Sequence, residues 1–150
     1  MLEYSVTSER VDLDLSLLKI DPKNPRKRDP RSICEIAKSI QEFGFVQPIV
    51  ADEQYHVIIG HGRLQAAKKL NFKTVPVIIA KNLSDHQKKR LQIADNRLSE
   101  LSTWNETLLA MQLDEIVQVE PLDIPGFDLE ELGTILGRGD ICDARWRCFL

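Results

Sequence analysis

The residues best suited to chemistry are Gly60-His61-Gly62-Arg63, which stand where the β-type run Tyr55-His56-Val57-Ile58-Ile59 gives way to the helical pattern Leu64, Ala67 and Leu70. The first turn of a helix presents unpaired N–H groups and the positive end of its dipole. Glycines let a ligand approach the backbone, and arginine offers a planar fork for phosphate oxygens. The spacing therefore describes a phosphate cradle, with a tight turn and a surface arginine as the alternative. An unperturbed imidazole titrates near neutral pH, so His61 is a candidate general base or cationic phosphate ligand, against a plain turn imidazole.

Two further groups could act on the same guest. In Asn24-Pro25-Arg26 the proline stiffens a loop that would hold Arg26 for an anion at small entropic cost, unless the loop is only a basic surface. Asp95-Asn96 lie in a helical stretch with Gln92 and Ser99 on one side and Leu91, Ala94 and Leu98 on the other, so a carboxylate and an amide could complete a Mg²⁺ shell beside phosphates. Their alternative is solvated helix surface. If a reaction follows binding, His61 and a carboxylate such as Glu35 or Asp95 are the candidate catalytic pair. His56 and His86 show no ligand spacing with His61, which argues against zinc.

These groups need elements to position them. Val11 to Leu15 alternates as a half-buried strand, and the three prolines between Asp21 and Pro30 exclude a helix there. Ile33, Ile36, Ala37, Ile40 and Phe43 mark a helix, with Ser32 and Glu35 in capping-box spacing and Gly44 at its end. Ile49 to Ala51 and Tyr55 to Ile59 read as a hairpin, Leu64 to Leu70 as a short helix ended by Asn71, and Val75 to Ala80 as a strand buried on both faces. Capping signatures at Ser84/Gln87, Thr103/Glu106 and Asp128/Glu131 start three more helices, the first with the apolar stripe Leu91, Ala94, Leu98 and Leu101.

Charge divides along the chain. Residues 19–90 carry 15 basic and 7 acidic side chains, whereas residues 91–137 carry one and ten. An anionic partner is drawn to the first stretch and repelled by the second, unless the charges pair within the molecule. With 150 residues, 43% of them hydrophobic, the chain has material for one modest core. No apolar run is long enough for a membrane span and the start lacks a secretory pattern. Cys34, Cys142 and Cys148 are an odd set without zinc spacing, so the expected compartment is a reducing cytoplasm.

The order Asn24-Pro25-Arg26, a helix, Gly44-Phe45-Val46-Gln47-Pro48-Ile49-Val50, a hairpin, Gly60-His61-Gly62-Arg63-Leu64-Gln65-Ala66-Ala67 and Val75-Pro76-Val77 resembles the ParB/sulfiredoxin-like N-terminal domain over about residues 10–100. The resemblance implies an α+β fold, a small mixed sheet with flanking helices. The expected division is residues 1–100 for this domain, 101–137 for a helical extension and 138–150 for an irregular tail. In partition proteins of the family the corresponding loop, turn and a glutamate–asparagine pair bind CTP and Mg²⁺. The resemblance carries those roles to Asn24, Arg26, Gly60, His61, Gly62 and Arg63 for phosphate and to Asp95 and Asn96 for metal.

The chain also departs from that pattern. Partition proteins usually read G-E-R-R at the turn, and Ser99 stands where a further arginine is expected. Sulfiredoxins carry their cysteine where His61 stands, which rules against sulfinic acid reduction. Asp95 to Glu100 and Ile124 to Asp128 resemble ParB-type heads that precede phage and bacterial DNA methyltransferases, but no methyltransferase catalytic tetrad is present, so these residues do not themselves methylate.

The expected function is a DNA-associated module that binds a nucleotide (CTP, ATP or ADP) with Mg²⁺. Its expected partners are DNA, a methyltransferase or partition protein, and a second copy in a homodimer. The alternatives are a non-catalytic DNA-binding adaptor, or a nuclease, nucleotide hydrolase or phosphotransferase using the same site.

Overall fold

The computed structural model describes residues 8–20, 22, 24–26 and 29–138. Cys142, Cys148 and the expected tail beyond Arg138 lie outside the described residues. The chain forms two compact units, residues 1–101 and 102–150.

The first unit is an α+β fold built on a four-stranded mixed sheet in the order β1-β4-β2-β3. β1 (Ser8–Asp14) is half-buried, as its alternation requires, and runs antiparallel to β4 (Thr74–Ala80). β2 (Ile49–Ala51) and β3 (Val57–Ile59) make the hairpin, and β2 pairs parallel with β4. The interior position of β4 explains its β-branched composition: Val75, Val77 and Ile79 are buried, while Pro76 and Ile78 are half-buried. Pro76 sits opposite Asp12 of β1, near the strand's start.

Helix α1 (Pro30–Phe43) packs Ala37 and Ile40 against Ala66 of α2 (His61–Lys69). Two details of α1 differ from its sequence pattern. Its cap is Asp29, whose carboxylate accepts the Arg31 N–H at 2.9 Å, so Ser32 and Glu35 fall inside the helix. Pro30 explains the shift, because its fixed φ and missing N–H suit the first helical position. Phe43, the last residue of the expected stripe, is 57% exposed. Gly44 follows the last turn with a positive φ of 80°, and Asn71, two residues beyond α2, also has a positive φ.

Helix α3 (Asp85–Glu100) starts with the expected capping box, in which Ser84 and Gln87 bond reciprocally. Its orientation reverses the expectation from its apolar stripe. Leu98 and Leu101 are 64% and 61% exposed, whereas Gln92 is buried and Asp95 and Asn96 are half-buried. The inward face is the polar one because the surface it covers is polar: Lys88 reaches the buried Asp52 and Asn96 meets Arg26.

The second unit holds α4 (Glu106–Val119) and α5 (Leu129–Ile135), closed by Leu113, Leu122 and Leu132. Asn105, not Thr103, caps α4, accepting the Leu108 N–H at 3.1 Å. Asp128 caps α5, as its spacing to Glu131 requires. Among the described residues no helix is long and apolar enough to cross a membrane.

Candidate functional site

The hairpin topology brings two distant stretches together. Because β2 and β3 are antiparallel, the residues that enter β2 and those that leave β3 share one end of the sheet, so Gln47 and Gly60 are neighbours there. Gly60 caps α2 at φ +97°, a conformation L side chains rarely adopt. A Cβ at this position would lie 3.2 Å from Nε of Arg63 and 3.3 Å from Cα of Ile49, so a side chain there would be tightly pressed as well as strained by the positive φ.

Arg63 therefore lies folded close to the turn. Its Nη1 donates to Oε1 of Gln47, while Nε is buried with no hydrogen-bond acceptor among the described residues. Burial lowers the pKa of the guanidinium, and the charge of Asp95 opposes that shift. Arginine nevertheless stays protonated, so the corner holds a fixed, partly desolvated positive charge with an unused donor. Leaving such a donor unpaired costs about 1–3 kcal/mol. An anionic guest would recover that cost.

A cavity of about 560 Å³ opens at this corner. Its walls include Gly60, Gly62 and Arg63 from the turn, Asp95 and Ser99 from α3, Ser39 from α1 and the Phe45 to Gln47 segment. Asn24, Arg26, Glu35, His61 and Asn96 do not line it. His61 is 5% exposed at the start of α2, and Glu35 pairs with Lys38 at 3.2 Å.

Arg26 and Asn96 form a contact of their own. Nη1 of Arg26 donates to Oδ1 of Asn96 at 3.1 Å, with Glu100 3.7 Å away, while Oδ1 of Asn24 accepts the Arg26 N–H. This places the proline loop on α3 one residue from Asp95. For Mg²⁺, Asp95 presents a carboxylate in the cavity wall, where its charge also acts on Arg63, whereas the Asn96 carbonyl oxygen is engaged by Arg26. No group of three His, Cys, Asp or Glu among the described residues could hold a metal. A Mg²⁺ here would thus need oxygens from the guest and water, as it commonly does beside phosphates.

Several wall residues carried no chemical signal in the sequence. Gln47 reads as a loop residue before Pro48, and Ser39 as a polar position on a helix. Only the topology places them beside Arg63.

The family of ParB N-terminal domains matches residues 2–97. The chain belongs to that family. It is 39% identical over 67 residues to the ParB-like nuclease domain-containing protein YnaK of Escherichia coli K12, covering 45% of this chain and 77% of that protein. It is 32% identical over 133 residues to the nucleoid occlusion protein of Bacillus cereus AH187, covering 84% of this chain and 43% of that protein. The ParB-family chain thus spans less than half the length of the nucleoid occlusion proteins it matches.

Among solved structures, a C-terminally truncated ParB of Caulobacter crescentus complexed with CTP-gamma-S superposes with a TM-score of 0.65. It is 21% identical and covers 87% of this chain and 72% of that one. A pNOB8-like ParB N-domain gives 0.54 at 22% identity, over 89% of this chain and 62% of that one. At these identities the superpositions establish the ParB-N fold.

Proposed function

We propose that this ParB-family chain is a nucleotide-binding, DNA-associated module whose guest places its phosphates against the Gly60–Arg63 turn. The observation that carries the reading is the Nε of Arg63, buried and without an acceptor among the described residues, at a helix N-terminus whose glycine holds a positive φ and would meet a Cβ at 3.2–3.3 Å. The first-turn N–H groups of a helix and a guanidinium in the wall of one cavity suit an oxyanion, and the cavity volume suits a nucleoside phosphate. CTP is the first nucleotide to test, because the Caulobacter crescentus relative was solved with its γ-thio analogue.

Arg63, Gly60 and Gly62 are the proposed phosphate seat. Asn24 and Arg26 are proposed to reach the same phosphates from the loop, which would require Arg26 to exchange Asn96 for the guest. If Mg²⁺ accompanies the nucleotide, it would neutralise phosphate charge, with Asp95 as its protein ligand and Asn96 as a further donor once Arg26 leaves. The basic balance of residues 19–90 and the parS complex of a Caulobacter crescentus ParB support DNA as a partner.

The test is thermal unfolding with CTP and Mg²⁺, compared with ATP, ADP and GTP, each with and without duplex DNA. A ligand at a hundred times its Kd stabilises by about 2.7 kcal/mol, well within reach of a melting scan. Arg63→Ala should unfold at nearly the unliganded temperature yet lose the nucleotide response. A response unchanged in Arg63→Ala would overturn the seat.

A further inference from the structure

Strand β1 (Ser8–Asp14) forms one edge of the sheet, and among the described residues no strand pairs with its outer side. Which of its main-chain groups face outward follows from the ladder. The Leu15 N–H donates to the Lys73 carbonyl at 2.9 Å, one step beyond the pairing of Asp14 with Thr74. Hydrogen-bonded and non-hydrogen-bonded pairs alternate along antiparallel strands, so Leu13, Val11 and Glu9 bond to β4 as Leu15 does. Arg10 and Asp12 occupy the positions between. Asp12 lies opposite Pro76, which has no N–H to give. The N–H and C=O groups of Arg10 and Asp12 therefore point away from β4.

Their side chains share a face as well. Val11 and Leu13 pack on the core, so Arg10 and Asp12 project to the opposite side, where both are exposed. Charge on an edge strand commonly serves to block pairing with another chain. A single sign does so best, because like charges meet when the strand meets its own copy. On β1 the two charges are opposite and stand at adjacent positions of one face, which makes them complementary to their own copy.

The possible alignments are few. Outward groups bond only to outward groups, so an antiparallel copy must keep Arg10 and Asp12 opposite other members of the set Ser8, Arg10, Asp12 and Asp14. Centring the pair on Arg10 opposes two arginines, and centring it on Asp12 opposes two aspartates. Centring it on Val11 sets Arg10 against Asp12 on both sides of the axis and brings Ser8 to Asp14. Of these alignments only the last is free of like charges, which are destabilising when directly opposite.

We infer that the outer edge of β1 is an interface with a second copy of this chain, the two sheets joining across a two-fold axis at Val11. Such a contact is isologous, so each Arg10 meets the Asp12 of the other copy and the unpaired main-chain groups of both edges are satisfied together. It uses none of the residues that line the phosphate corner, so it forms without nucleotide.

The test is sedimentation equilibrium of the full chain without nucleotide, over a range of concentrations, with circular dichroism to confirm folding. The wild type should dimerise reversibly. Arg10→Asp and Asp12→Arg each set like charges opposite one another and should weaken the dimer about tenfold, and the two together should restore it. Cross-linking locates the axis in a background where Cys34, Cys142 and Cys148 are serine. In the Val11-centred alignment the two Val11 Cα atoms lie about 4.5 Å apart, within disulfide reach, whereas Glu9 lies opposite Leu13 and far from its own copy. Val11→Cys should therefore link on oxidation and Glu9→Cys should not. A wild type that stays monomeric, a dimer indifferent to either single reversal, a double variant that fails to restore it, or equal cross-linking at both positions would each overturn the proposal.

Discussion

The ammonium of Lys88 lies 2.9 Å from Oδ2 of Asp52, and this bond joins α3 to the β2–β3 turn. Asp52 is 4% exposed, and its other oxygen accepts the N–H groups of Gln54 and His56, each at 2.9 Å. Since α3 supplies Asp95 and Ser99 to the cavity, the ion pair fixes one wall of the candidate site from outside it. Asp52→Asn keeps the turn bonds but leaves Lys88 only the exposed Asp85, at 3.5 Å, as a charge partner. A loss of about 1.5–3 kcal/mol is expected in urea unfolding.

The same pair sets a response to acid. Burial would raise the Asp52 carboxyl, but the Lys88 hydrogen bond, the two backbone donors and the Lys88 charge together hold it below its ordinary value of 3.8. A carboxylate with a lowered folded-state pKa contributes stability that is present above the unfolded value and lost as pH falls through the folded one. Stability should therefore fall below about pH 4 in the wild type, and less steeply in Asp52→Asn, when unfolding is followed across that range.

Gly60→Ala tests the corner itself. The added methyl must adopt a left-handed backbone and press on Nε of Arg63 and the Ile49 backbone. Such strain costs about 1–3 kcal/mol, and the displaced guanidinium should weaken the nucleotide response beyond what that loss explains. Calorimetric titration at a temperature where the variant is folded separates the two effects.

Arg26→Ala addresses the loop. Its contacts to Asn96 and Glu100 are exposed, so stability should change by no more than about 1 kcal/mol. If the loop reaches the guest as proposed, the nucleotide-dependent melting shift should shrink while the unliganded midpoint stays in place.

Asn105→Ala should destabilise the second unit by about 1 kcal/mol, and Thr103→Ala by less than about 0.5, as measured by circular dichroism in denaturant. The contrast follows from which residue caps α4.

That contrast also shows what the sequence could convey. Strands, hairpin and helices were legible because their periodicities are local, as was Asp128 as a cap. The starts of α1 and α4 were misread by a few residues because both stretches contain two candidate caps, and only backbone geometry selects between Asp29 and Ser32, or Asn105 and Thr103. The inverted α3 is the deeper case. An amphipathic pattern reports two unlike faces, and the inward one was decided by a buried carboxylate 36 residues away. The Gly60–Arg63 strand-to-helix turn was legible, but Gln47 and Ser39 as its neighbours were not, since the first depends on strand pairing and the second on the packing of α1 against α2.

The interior strand β4 has a consequence for how the protein is made. Its partners β1 and β2 are synthesised first and can be bridged only when residues 74–80 arrive, and α3 follows later still. A nascent chain emerging from the ribosome therefore exposes the glycine corner to water until about its hundredth residue has cleared the exit tunnel. If the corner takes the nucleotide proposed for it, capture begins only after the first unit has been completed.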